Sequence, residues 1–204
     1  NPSSLHALGR DARATVEYAR ERIARAVGAD PAEVIFTSGG TEADNLAVKG
    51  IYWKRREEDP QRTRILVSTI EHHAVEETCE WLQQAEGARL EWIPVDERGR
   101  VNPETVRELI EKNPEDVALV TVMWANNEVG TVQPIPEIAA IAAEYNIPVH
   151  SDAVQAFGAV PVDFHASGVA TLAISGHKIG GPMGIGALVA TRAVQMTPVL
   201  HGGG

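Results

Sequence analysis

Short apolar runs alternate along the chain with segments in which apolar residues recur every three or four positions. The apolar runs predict strands over residues 34–37, 64–69, 90–95, 117–123, 147–152, 170–174 and 184–190. The periodic segments predict helices that begin near Ser3 or Ser4, Thr41, Val75, Pro103 and Pro136. Because nearly continuous apolar strands alternate with helices, we predict a three-layer α/β/α fold with a mostly parallel sheet.

The bulk composition narrows the class of protein. The chain has 204 residues, of which 44% are hydrophobic and 23% charged, so it can form one large globular domain. Its net charge of −10 comes from scattered acidic residues, which argues against a nucleic-acid-binding surface. No apolar run approaches the roughly 20 residues of a membrane span, so we predict no membrane partner.

The single cysteine and the two ends add further expectations. One cysteine, Cys79, excludes an intrachain disulfide and fits the reducing cytoplasm. It shares a predicted helix face with Val75 and Leu82, so we expect it to pack in the core. The chain opens on Asn1 and closes on a glycine tail at 201–204. We therefore expect a piece of a longer protein, with a mobile tail.

Polar residues follow five of the predicted strands. They lie at 38–41, 71–73, 126–128, 152–155 and 175–178. The carboxyl ends of parallel strands meet at one edge of a sheet, and ligands bind there. The sequence therefore predicts that these five segments form one site.

Two of these segments allow more than one interpretation. The small residues before Thr41 predict a helix start with free amides, which would bind phosphate; the alternative is a tight turn in which Thr41 is a simple N-cap. His72 and His73 could ligate a metal, but no Cys, Asp or Glu is spaced to complete such a site. We therefore predict no metal and favour a histidine ring that stacks on a planar ligand.

The segment 175–178 places Ser175, His177 and Lys178 directly after an apolar strand. A buried lysine is costly unless it is paired, deprotonated or covalently used. Desolvation favours the neutral amine, which can form a Schiff base with a carbonyl compound. The alternative is a loop lysine whose ammonium group lies in water.

One cofactor suits all of these groups. Pyridoxal 5′-phosphate needs a phosphate site, a Schiff-base lysine and a carboxylate, here Asp152, beside its ring nitrogen. The rival is a nicotinamide-binding domain, which needs G-x-G-x-x-G after its first strand. The residues at 38–41 do not fit that pattern.

Five motifs carry a resemblance to a known family: TSGGTE at 37–42, EHHAV at 71–75, NNEVG at 126–130, SDAVQ at 151–155 and SGHK at 175–178. In order and spacing they resemble the cysteine desulfurases, members of the class V aminotransferase group of fold-type I pyridoxal-phosphate enzymes. The resemblance implies that Lys178 carries the cofactor, that His72 stacks on its ring and that Asp152 pairs with the ring nitrogen. The remaining implied contacts are Gln155 and Asn127 at the phenolic oxygen, and Gly40, Thr41, Ser175 and His177 at the phosphate.

The resemblance also implies a reaction and partners. L-cysteine would become L-alanine, with the sulfur kept as an enzyme persulfide for a sulfur-acceptor protein such as an iron–sulfur scaffold or a sulfur carrier. Residues 1–204 would be the cofactor-binding large domain of a homodimer, with the tail near the partner's 175–178 loop. The persulfide cysteine, the arginine for the substrate carboxylate and a smaller domain are expected beyond Gly204.

Two alternatives stay open at this point. A selenocysteine lyase, or another class V enzyme, could share every motif. The chain could also be a non-catalytic cofactor-binding scaffold.

Overall fold

Seven strands form one sheet within residues 1–4 and 6–202, which the computed structural model of the chain describes. The strands are β1 (Val34–Thr37), β2 (Arg64–Ser68), β3 (Arg89–Ile93), β4 (Val117–Thr121), β5 (Val149–Asp152), β6 (Thr171–Ser175) and β7 (Gly186–Ala190). The helices are α1 (Ala7–Val27), α2 (Gly40–Glu58), α3 (His73–Glu86), α4 (Pro103–Glu111), α5 (Ile135–Glu144) and α6 (Phe164–Ser167).

The sheet is mostly parallel, as predicted. Its strand order is β1-β7-β6-β5-β4-β2-β3. Neighbours from β6 to β3 pair in parallel, whereas β7 is antiparallel to both β6 and β1. Only residues 176–185 join β6 to β7, which is too short for the crossover that a parallel neighbour requires.

Helices cover both faces of the sheet. Strands β2, β4, β6 and β7 are buried along their whole length. The larger core cluster packs α1, α4, α5 and α6 against one face, and α2 and α3 cover the other. Cys79 is fully buried in the second layer beside Val75 and Leu82, which confirms its predicted place in the core.

Several element boundaries differ from the sequence prediction. Helix α1 is capped by His6, whose Nδ1 accepts from the Gly9 amide at 3.1 Å, and not by Ser3 or Ser4. Helix α2 runs past Lys54 to Glu58, and Lys54 forms ion pairs with Glu57 and Glu58 that favour the extra turn. The four-residue helix α6 was not predicted at all.

Two further predictions concern the chain's surroundings. In the described residues, no helix is both long enough and apolar enough to cross a bilayer. His201 and Gly202 lie outside regular structure, while the rest of the predicted mobile tail, 203–204, is outside the described residues.

Candidate functional site

One pocket opens at the carboxyl edge of the sheet, beside the start of α2. Every predicted site residue except Ser175 lines it: Gly40, Thr41, His72, Asn127, Asp152, Gln155, His177 and Lys178. Ser175 lies directly behind, where its hydroxyl is 2.8 Å from His177 Nδ1. The five polar segments therefore come together as the strand order predicts.

The start of α2, whose first-turn amides are not capped by a side chain, lines the pocket. Its N-cap is Gly39, which has no side chain to bond the first-turn N–H groups. Thr41 lies inside the helix, so the alternative in which it is a simple N-cap is wrong. The positive end of the helix dipole and free amides favour an anion at this position.

Two glycines allow this helix start to approach the sheet closely. A Cβ on Gly186 of β7 would lie 2.7 Å from Gly39 Cα, and a Cβ on Gly40 would lie 2.6 Å from Val154 Cγ2. A Cβ at either position would force its neighbour to shift, and at Gly186 that neighbour is the backbone of the helix start. Gly186 was not predicted as a site residue; its signal is a glycine that opens an apolar strand.

Asp152 is a buried carboxyl at the end of β5. Its Oδ1 accepts from the Val154 amide at 2.8 Å. Burial raises the pKa of Asp152 to about 7, and the neighbouring Asp44 contributes to the rise. Within the described part of the chain, no Lys or Arg forms an ion pair with it. Such a carboxyl is suited to a cation that enters the pocket.

Lys178 faces the pocket from the short 3₁₀ helix Gly176–Ile179, which directly follows β6. Its side chain is exposed, so the expectation of a buried lysine is wrong. It has no hydrogen bond or ion pair with any described residue, which leaves its amine available to a ligand. Gly180, with φ of 79°, ends the turn in a left-handed conformation that favours glycine.

The two neighbouring histidines have different surroundings. His72 is the N-cap of α3, and its Nδ1 accepts from the Ala74 amide at 3.1 Å, which fixes the ring in the pocket. His73 lies outside the pocket lining and pairs with Glu76 at 3.2 Å. Among the described residues, no three His, Cys, Asp or Glu side chains are grouped to hold a metal ion.

The adjacent asparagines also differ in what they contact. Asn126 is buried and stabilises the loop after β4. Its side-chain Nδ2 donates to Ile70 O at 3.0 Å, and its Oδ1 accepts from the backbone amides of Glu128 and Val129 at 2.9 Å. Asn127 is exposed and lines the pocket. Gln155 reaches the pocket from the turn after β5.

Sequence reasoning missed a second layer of acids. Asp44 lines the pocket from α2, and its Oδ1 lies 3.1 Å from Nε2 of the buried His150. Glu71 accepts from Ser68 Oγ at 2.5 Å and from the Met123 amide at 2.7 Å. The signals were spacing: Asp44 is one helical turn after Thr41, and His150 shares a strand face with Asp152.

Comparisons with known proteins agree with this geometry. Residues 1–204 match the aminotransferase class-V family. The chain is 54% identical over 204 residues to the "IscS-like cysteine desulfurase" of Mycobacterium tuberculosis, covering 100% of this chain and 52% of that protein. It is 44% identical to "Cysteine desulfurase IscS" of Dictyoglomus turgidum, again over 100% of this chain and 50% of the relative.

Solved structures are similar to the chain over its whole length. "SspA in complex with cysteine" superposes with a TM-score of 0.91 and 39% identity, over 100% of this chain and 57% of that one. A structure titled "NIFS-LIKE PROTEIN" gives 0.89 and 38%, over 100% and 54%. The chain therefore spans about half the length of the relatives that it matches.

Proposed function

Because the chain belongs to the class-V aminotransferase family, we propose that it is the cofactor-binding large domain of a pyridoxal-phosphate-dependent cysteine desulfurase. Such an enzyme converts L-cysteine into L-alanine and keeps the sulfur as a persulfide. The observation that carries the proposal is the pocket in which an unpaired lysine, a buried aspartate and an open helix start meet. The names of the relatives support the choice of substrate.

The residues present fit pyridoxal phosphate, on which the family depends in general. The free amides at Gly40 and Thr41, with the Ser175–His177 pair, provide anion donors. Asp152 provides a carboxylate without a cationic partner, and Lys178 provides an amine without any partner in the described chain. When bound, the cofactor supplies an electron-accepting ring that stabilises negative charge at the substrate Cα.

The chain's own residues then have separate tasks. The Asp152 carboxylate would favour a proton on a ring nitrogen held beside it, and such a proton would make the ring a better electron acceptor. His72 is oriented by the Ala74 amide and forms a stacking platform. Lys178, when its amine is free, moves a proton at the substrate Cα. Gln155 and Asn127 line the pocket, where their amides would orient polar groups of the cofactor.

The sulfur-accepting cysteine of this proposal is not Cys79. The Cys79 side chain is fully buried, and burial raises the pKa of its thiol, so the reactive thiolate is disfavoured. We propose that the persulfide cysteine and the arginine that binds the substrate carboxylate lie outside residues 1–204. We also keep the homodimer, a sulfur-acceptor protein and a cytoplasmic location as parts of the proposal.

The test is turnover by the intact protein. L-cysteine should yield L-alanine, with the sulfur recovered as sulfide when a thiol reductant is present, and Lys178→Ala should abolish both. Cofactor binding without any alanine would instead indicate a scaffold. A much higher kcat/KM for selenocysteine than for cysteine would indicate a selenocysteine lyase.

A further inference from the structure

The pocket and its surroundings contain more acids than the proposed function uses. Asp44 on α2, Glu71 after β2 and Asp152 at the end of β5 form a group that we call the buried acid cluster. When ionised, Asp44 raises the pKa of both Glu71 and Asp152, and ionised Asp152 raises the pKa of Glu71. Only Asp152 has a role in the proposed function.

Asp44 is bound in a way that does not suit an ionised carboxylate. The residue is 1% exposed, and its Oδ2 is buried without a hydrogen-bond partner among the residues that the structure describes. Its Oδ1 has one neighbour, His150 Nε2, at 3.1 Å, and His150 Nδ1 lies 2.9 Å from Thr171 Oγ1. An ionised carboxylate in the interior needs several donors or a cation.

Glu71, which is not among the residues that line the pocket, also has a buried carboxyl oxygen without a donor in the described chain. Its Oε1 accepts from Ser68 Oγ and the Met123 amide, which joins the ends of β2 and β4. Its Oε2 is buried and accepts no hydrogen bond from any described residue. Burial raises the pKa of Glu71 to about 8, with a further contribution from Asp152.

No fixed cation compensates the cluster. Within residues 1–4 and 6–202, no Lys or Arg forms an ion pair with any of the three acids. The titratable groups that face it are His150 on β5, His72 after β2, Cys79 on α3, and His177 and Lys178 across the pocket. Burial lowers the pKa of His150 to about 4, so its ring is neutral. Three carboxylates in this space would therefore repel one another without compensation.

We propose that Asp44 and Glu71 are positioning residues that stay protonated, so that Asp152 is the only acid of the cluster that ionises when a cationic ring enters the pocket. Protonated Asp44 donates to His150 Nε2, and His150 Nδ1–H then donates to Thr171 Oγ1. The role toward the ring rests on the proposed function. The protonation of Asp44 and Glu71 does not.

The first experiment measures pyridoxal-phosphate affinity against pH in the cofactor-free intact protein. Affinity should rise as Asp152 ionises near pH 7, and Asp152→Asn should lose that component. Asp44→Asn and Glu71→Gln imitate protonated acids and should keep the wild-type profile. Asp44→Ala admits water beside Asp152, so its profile should move about one pH unit lower, toward the ordinary range of an aspartate.

These outcomes separate a positioning role from a structural one. If Asp44 had only a structural role, Asp44→Ala would bind pyridoxal phosphate more weakly by the same factor at every pH. A shifted profile in Asp44→Asn or Glu71→Gln would mean that the replaced acid had been ionised, and would overturn the proposal.

The second experiment needs no cofactor and decides the protonation even if pyridoxal phosphate does not bind. An acid whose folded pKa is raised contributes stability below its unfolded pKa and loses it as pH rises toward the folded value. The melting temperature of Asp44→Asn should therefore match that of the wild type near pH 3.5 and be at least about 3 °C higher near pH 8. A wild type that is more stable by a constant margin from pH 5 to 8 would overturn the proposal.

Infrared spectroscopy of the wild type covers the case in which Asp44→Asn does not fold. Protein labelled with ¹³C-aspartate should show an isotope-shifted carbonyl band of a protonated acid at pH 8. The absence of that band would contradict a protonated Asp44.

Discussion

Acidic side chains at the amino edge of the sheet have cationic partners, whereas those at the carboxyl edge do not among the described residues. At the amino edge, Arg64 and Arg89 bind Asp116 at 2.7 and 2.6 Å, and Arg64 and Lys112 both bind Glu91. Burial alone would raise the pKa of Asp116, but the hydrogen bonds and charges of Arg89 and Arg64 outweigh it and lower the pKa. At the carboxyl edge, Asp44, Glu71 and Asp152 have no such cations among the described residues.

We infer that the paired acids contribute to stability and that the unpaired edge serves function. A charge that forms an ion pair within the chain is already compensated, so it does not require a ligand. An acid that is buried without a cation costs stability once it ionises, and a fold retains it where a ligand compensates its charge, as proposed for Asp152. Both groups of acids lie on the same sheet. The contrast therefore comes from the side chains that surround each group.

The largest expected effect is at the unpaired edge. Asp152→Ala in the intact protein should lower kcat at least about a hundredfold, the scale of a lost electrostatic contact in an active site. Its cofactor-free form should be at least as stable as wild type near pH 8, because a costly buried acid is gone. Steady-state alanine formation and thermal unfolding measure the two quantities. Near-normal turnover would refute the role of Asp152.

The matched change at the paired edge is Asp116→Asn. It should destabilise the protein by about 3 kcal/mol at pH 7, because Arg64 and Arg89 lose a charged partner. The folded pKa of Asp116 is lowered, so its stabilisation exists above the unfolded pKa and disappears as pH falls through the folded value. Urea unfolding at several pH values should show a deficit that shrinks below pH 4. A deficit that is independent of pH would contradict the account.

The smallest effect belongs to Cys79, which lies in the core between α3 and the sheet. Cys79→Ala should cost roughly 1 kcal/mol of unfolding free energy, the scale of a small buried truncation. Turnover per folded molecule should not change. A persulfide found on Cys79 after incubation with cysteine would show that its burial has been misjudged.

Sequence patterns predicted the layers well and the boundaries less well. Strands buried on both faces have to be apolar throughout, so their positions are visible as runs. The direction of β7 is not visible in that way, since it depends on the length of the connection from β6. The cap at His6 was missed because serine is the commoner N-cap residue.

Some residues of the site were predictable from the sequence and others were not. Lys178, His72 and Asp152 were predicted because each lies at or shortly after the end of an apolar strand, within motifs that resemble the cysteine desulfurases. Asp44 looks like an ordinary polar residue on a helix. Its burial depends on His150, which lies 106 positions away in the sequence. Contacts of that kind become visible only once the strand order is known.

The central claim is that the carboxyl-edge pocket holds pyridoxal phosphate on Lys178. Borohydride reduction of the intact protein after incubation with the cofactor, followed by peptide mapping, tests it directly. The account predicts one pyridoxyl group per chain, on Lys178, and none in Lys178→Ala. A label on Lys49 or Lys54 of α2, or no label on any lysine, would contradict it.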